Sequence, residues 1–258
     1  MTGAAGYMAL VLAEAVAGSL AFLWCVPLWN EAKRGFFTLT SSILLVLAVA
    51  AWWSAKVALV PGEDAGLWSV RLALATAVAV GVTFLLMLAK QHTVARVVGL
   101  LSVPLSIAVL VAMAGTGRQS YALSLFQLLA GAAFLGTITD GLLLGHWYLT
   151  DRGLPRGPIN RYTTAMLIAV GVEAVAVISG GFSATADSGS LNPLLTAGAL
   201  APWIALGMVG TTALIAVLTR AALKGERASA VQSATGFYYL AVVTGFTAEV
   251  AFKTRFLG

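Results

Sequence analysis

Charge is scarce in this sequence, and so are cysteine and histidine. Charged residues make up 10 % of the 258 positions, against about 25 % in soluble domains. A single cysteine, Cys25, excludes an internal disulfide and a cysteine-built metal cluster. It lies in an apolar run and is expected to act as a small buried hydrophobe. The chain has no Walker A sequence, no HExxH, no GxSxG and no CxxC, so the familiar nucleotide, zinc-protease, hydrolase and redox motifs are missing.

What the sequence does have is apolar length. Hydrophobic residues are 60 % of the chain and mean hydropathy is +0.94. A soluble fold of this size cannot hide so much apolar side chain and still present a polar surface. The expected class is an all-α polytopic membrane protein, one integral-membrane domain over 1–258. A spanning helix needs about 20 mainly apolar residues. Eight segments qualify: 5–28, 37–60, 67–89, 94–114, 121–149, 162–182, 194–219 and 232–254. Their connections are short and none is long enough to fold alone.

The net charge of +5 does not point to nucleic acid, because the basic residues are spread between apolar segments. They are spread unevenly. Lys33, Arg34, Lys90, Arg96, Arg152, Arg156, Arg161, Arg220, Lys224 and Arg227 fall in the odd connections. Lys56, Arg71, Arg118, Lys253 and Arg255 fall on the other side. The positive-inside rule then places the odd connections in the cytoplasm and both termini on the extracytoplasmic side. Trp24, Trp29, Trp52, Trp53, Trp68 and Trp147 sit near segment ends, where an interfacial belt wants them. Trp203 is expected to pack between helices. The first segment lacks a basic start, runs long and carries Glu14, so it reads as a retained helix and not a cleaved leader. Met1 and the absence of an organelle-type leader fit a bacterial cytoplasmic (inner) membrane.

Four acids lie inside apolar segments: Glu14, Asp140, Glu173 and Glu249. A charge at the bilayer centre costs about 2.5–3.5 kcal/mol on insertion scales, so each asks for a reason. Glu249, placed near the outer face, has Lys253 one helical turn on; they read as a structural ion pair, with Lys56 as a third member. Glu14 and Glu173 have no cation at their depth in the sequence. Small residues flank both, so a neighbouring helix can come close. They read either as interhelical glue or as a proton relay or substrate grip.

The two histidines lie toward the cytoplasmic side. His92, read as the end of the third segment, and His146, near the end of the fifth, raise a b-type haem as an option, although the position of His92 beside Lys90 is shallow for a ligand. His146 stands in "GHWYL". Its imidazole can exchange protons, and Trp147 and Tyr148 offer flat walls, which is what a quinone headgroup needs. Asp140 is six residues earlier and about 120° around the helix. The two reach one site only through a third group, such as Thr139. The connection "LTDRGLPRGPINR" is stiffened by glycine and proline; Asp151 there is expected to pair with nearby arginines. Anionic headgroups account for Arg152, Arg156 and Arg161, and a peripheral protein subunit is the other candidate. Pro104 and Pro202 allow broken helices.

These features support three functional readings. The first is a non-catalytic or quinone-interacting subunit of a membrane redox complex, with other membrane or peripheral subunits as partners. The second is a proton-coupled small-molecule or ion transporter using Glu14 and Glu173. The third is a lipid-modifying enzyme with Asp140 and His146 as acid and base.

Overall fold

A computed structural model describes all residues except 27, 30, 152, 183–196, 226, 227 and 258. Arg152, Arg227, Asn30 and the whole connection "SATADSGSLNP" lie outside the described residues. The described chain is helical throughout, with eight helices: α1 (Gly3–Cys25), α2 (Arg34–Val57), α3 (Asp64–Leu88), α4 (His92–Ala114), α5 (Tyr121–Thr150), α6 (Gly157–Ser179), α7 (Ala197–Leu223) and α8 (Ala228–Leu257). The first seven are long and apolar enough to cross a membrane. α8 is not among them, because tyrosines, threonines, Glu249 and Lys253 dilute its apolar residues.

Lipid dictates this architecture. With no water to bond the backbone, each segment must satisfy its own N–H and C=O groups, which a helix does. Hydroxyl groups follow the same rule. Thr76, Thr83, Thr163, Thr219 and Thr235 each donate to the carbonyl four residues back. α4 runs unbroken through Pro104, and α7 through Pro202, so neither proline breaks its helix. α6 begins at Gly157, five residues before the expected start, because Pro158 fits the first turn, where its missing N–H costs nothing.

α1 and α5 form the centre. Of their apolar stretches, 72 % and 67 % are buried, against 33–44 % for the five other spans. They cross at Gly18 and Gly136. A Cβ on Gly18 would stand 1.7 Å from the Ala132 carbonyl oxygen, and one on Gly136 would stand 2.3 Å from the Gly18 carbonyl carbon. α2, α3 and α4 pack on one side of this pair, and α6, α7 and α8 on the other.

Short connections make consecutive helices antiparallel and sort the chain ends onto two faces. On the basic face, Lys33 pairs with Asp151 at 3.0 Å and Arg161 with Glu31 at 2.6 Å. Lys33 is thus a partner of Asp151 that the sequence did not indicate; the adjacent Arg152 lies outside the described residues. On the terminal face, the Met1 amino group pairs with Glu63, and the Arg118 N–H donates to the Phe256 carbonyl at 3.2 Å.

Three further sequence expectations change. Cys25 is exposed, because it is the last residue of α1, past the packed part. Trp203 is 61 % exposed and meets Phe182 at 4.8 Å between ring centroids. It is six residues from the start of α7, so it faces outward near a helix end and does not pack between helices. Lys56 lies over the rings of Trp52 and Trp53 and takes no part in the Glu249–Lys253 pair.

Candidate functional site

Three of the four intramembrane acids converge. α1 supplies Glu14, α6 supplies Glu173, and α8 supplies Glu249 and Lys253. All four side chains are fully buried. Lys253 Nζ lies 2.7 Å from Glu14 Oε1 and 3.0 Å from Glu249 Oε2. Glu173 of α6 stands close to Glu249 in the same group. The aromatic rings of Phe252 and Phe256 lie 4.7 and 5.8 Å from the ammonium and add an attraction of their own.

Depth follows from helix rise. Glu14 is 11 residues into α1, about 16 Å from its end. Glu249 is eight residues before the end of α8, about 12 Å inside. A hydrocarbon core is about 30 Å thick, so the cluster belongs to its interior. Two sequence expectations are corrected here. Glu249 lies further from its helix end than the sequence indicates, because α8 continues to Leu257. Glu14 does have a cation at its depth. Helical side chains tilt toward the N-terminus of their own helix, so Lys253 reaches back along α8 to the level of Glu14.

The cluster is tight and under-bonded. A Cβ at Gly131 would come within 2.6 Å of Glu14 Oε1, so α5 lies directly against this carboxyl and a larger residue there would push it aside. None of the six carboxylate oxygens, nor Lys253 Nζ, makes an aligned hydrogen bond to another described residue. The contacts of Lys253 with Glu14 and Glu249 are ionic. Toward the terminal face, Gln127 Nε2 donates to Gln119 Oε1 at 3.0 Å and faces the Ala176 carbonyl at 3.5 Å. Ala176 is three residues past Glu173, so this amide pair sits next to the cluster.

Asp140 forms a second buried polar group, toward the basic face. It is fully buried, and the Tyr162 hydroxyl donates to its Oδ2 at 3.4 Å. The Ser19 hydroxyl of α1 also acts on it. Tyr238 OH and Thr163 Oγ1 share a bond of 3.0 Å nearby. Tyr238 fits because residue 141 is glycine; a Cβ there would lie 2.2 Å from the ring. Ser19 is five residues from Glu14 on α1, about 7.5 Å of rise, so Asp140 and the acid cluster occupy successive levels of one bundle core.

The histidines do not join these groups. His146 is exposed and faces Tyr239 OH at 3.4 Å from Nδ1. Asp140 points inward, so the structure does not bring Asp140 and His146 into one site. Thr139 is buried, and its hydroxyl has no bonding partner among the described residues. Trp147 packs on Phe36 and on the backbone of Gly35. Tyr148 donates to the Pro155 carbonyl. His92 opens α4 and does not end α3, because Lys90 turns the chain with φ +60°. α4 packs chiefly on α3 and α1, whereas His146 is turned to α8.

Sequence reasoning missed Ser19, Gly131, Tyr162, Thr163 and Tyr238. Single hydroxyls and glycines are common in spans, and only the helix arrangement singles these out. Comparison with family models, curated proteins and solved structures finds no match for this chain.

Proposed function

We propose that this protein is a proton-coupled membrane transporter whose proton site is the Glu14–Glu173–Glu249–Lys253 cluster. One observation carries this reading: three carboxyls share a fully buried site with a single ammonium, and among the described residues no hydroxyl, amide or backbone group bonds their oxygens. Fully ionised, the site would hold a net charge of −2, which a low-dielectric interior strongly disfavours. Binding two protons makes it neutral. Losing one exposes an unpaired charge and drives either re-protonation or binding of another cation. That is the behaviour a proton-driven carrier needs, and intramembrane acids commonly mark such relays.

Two polar groups support a path. Asp140, with Tyr162, Tyr238 and Thr163, leads from the basic face. Gln119 and Gln127 lead from the terminal face. With Lys253 buried, the terminal face keeps Lys56, Arg71, Arg118 and Arg255, fewer cations than the basic face. This favours the basic face in the cytoplasm, both termini outside and a bacterial inner membrane as the setting.

The test is proton flux into proteoliposomes under an imposed potential, read with an entrapped pH dye. Glu173→Gln should slow flux by about 10²-fold, the lower end of what a positioned proton-transfer group contributes to a rate. Flux equal to wild type would sink the proposal.

A second reading, a quinone-interacting subunit of a redox complex, is favoured by one contact. The His146–Tyr239 pair at 3.4 Å is exposed on the bundle's outer surface, where a lipid-soluble headgroup could meet an imidazole. Quinone copurifying with wild type but not with His146→Ala would support it. Quinone-free protein would remove it.

A further inference from the structure

We propose that a cleft between α6 and α7 on the basic face binds the phosphate group of an anionic phospholipid. The cleft has a volume of about 300 Å³ and is lined by Asn160, Thr163, Thr164, Arg220, Leu223 and Lys224. This size begins the range of small-molecule sites. Its chemistry is one-sided. Among the described residues, two cations and three neutral polar side chains line it, and no acid does. Arg220 and Lys224 are four residues apart on α7, so they share a face. Asn160 and Thr164 are four apart on α6 and stand opposite. An anion between the walls can accept from both.

The guanidinium is already aimed. Arg220 Nη1 donates to Thr164 Oγ1 at 3.1 Å, which uses one of five donors and orients the others. A fork of donors suits phosphate oxygens. Asn160 lies in the first turn of α6, where the helix end favours negative charge.

The surface beyond the cleft indicates the source of the phosphate. On α6 Ile168 follows Thr164 by one turn, and on α7 Val217 precedes Arg220 by three residues. Ile168 is 65 % exposed and Val217 54 %. A charged cleft at the helix ends therefore grades into an apolar strip along the same two helices. A free phosphate has no use for that strip, but an acyl chain does. Thr163 borders both this cleft and the Asp140 group, but Arg220 and Lys224, which would hold the phosphate, belong to neither the Asp140 group nor the Glu14–Glu173–Glu249–Lys253 cluster.

The experiment is native mass spectrometry of the purified full chain with phosphatidylglycerol added back, with inorganic phosphate as competitor. Wild type should retain one phospholipid. Arg220→Ala/Lys224→Ala should bind it about tenfold more weakly, while Arg220→Lys/Lys224→Arg should keep it. Should the double alanine variant fail to fold, Lys224→Ala at its exposed position gives the same reading with a smaller loss. Unchanged retention in the alanine variants would overturn the site. Displacement of the lipid by inorganic phosphate would overturn the lipid as its ligand.

Discussion

A lysine with no exposed surface must be neutralised, and Lys253 is flanked by two carboxylates within 3.0 Å. Removing one partner of a buried ion pair costs about 3–5 kcal/mol, because the other charge stays behind unpaired. Lys253→Met should therefore lower the thermal midpoint of the detergent-purified protein sharply. Adding Glu14→Gln and Glu249→Gln should restore most of the loss, since the site then holds only Glu173, which is neutral when protonated. A midpoint unmoved by Lys253→Met would mean the cluster is not ionised at all. Part of this was legible in the sequence. Glu249 and Lys253 are one turn apart, and helix geometry alone pairs them. The link from Lys253 to Glu14 was not legible, because it joins residues 239 positions apart through the packing of α1 on α8. The same holds for Asp140, whose partner Tyr162 lies across the α5–α6 connection.

Helices in lipid gain little from burying apolar surface, so close packing has to hold them together. The α1–α5 crossing does this through Gly18 and Gly136. Overpacking a well-fitted core costs about 1–3 kcal/mol, and backbone atoms at 1.7 and 2.3 Å cannot move aside cheaply. Gly18→Leu should cut folded yield and thermal midpoint by at least that amount. Gly171 and Gly207 are the controls, since a Cβ there meets nothing within 4 Å. Gly171→Ala and Gly207→Ala should be neutral or stabilising by about 0.5–1 kcal/mol. Equal losses at all three positions would argue against a glycine-dependent crossing. Apolar length located the helices well, with ends off by a few residues. It could not find the crossing, because the 27 glycines look alike until two helices are set side by side. It also misplaced His92, since nothing apolar marks a three-residue turn between α3 and α4.

At the scale of the molecule, the two faces differ in charge, and the single cysteine can report which faces which compartment. Cys25 is exposed at the basic-face end of α1. A membrane-impermeant maleimide should label it in inside-out vesicles and leave it unlabelled in right-side-out ones. The reverse pattern would invert the proposed topology. The charge bias was readable from sequence, but it counted Lys253 as a surface residue. Burying that lysine sharpens the asymmetry and creates the site on which the functional proposal rests.

The central claim is that the buried acids hold protons. Infrared spectroscopy of the membrane-reconstituted protein reads protonated carboxyls directly, through a stretch that shifts when deuterium replaces the proton. Wild type should show this signal with an intensity of two buried carboxyls beyond any from Asp140. Glu14→Gln/Glu173→Gln/Glu249→Gln should remove it, and Asp140→Asn should leave it in place. An unchanged signal in the triple variant would contradict the account.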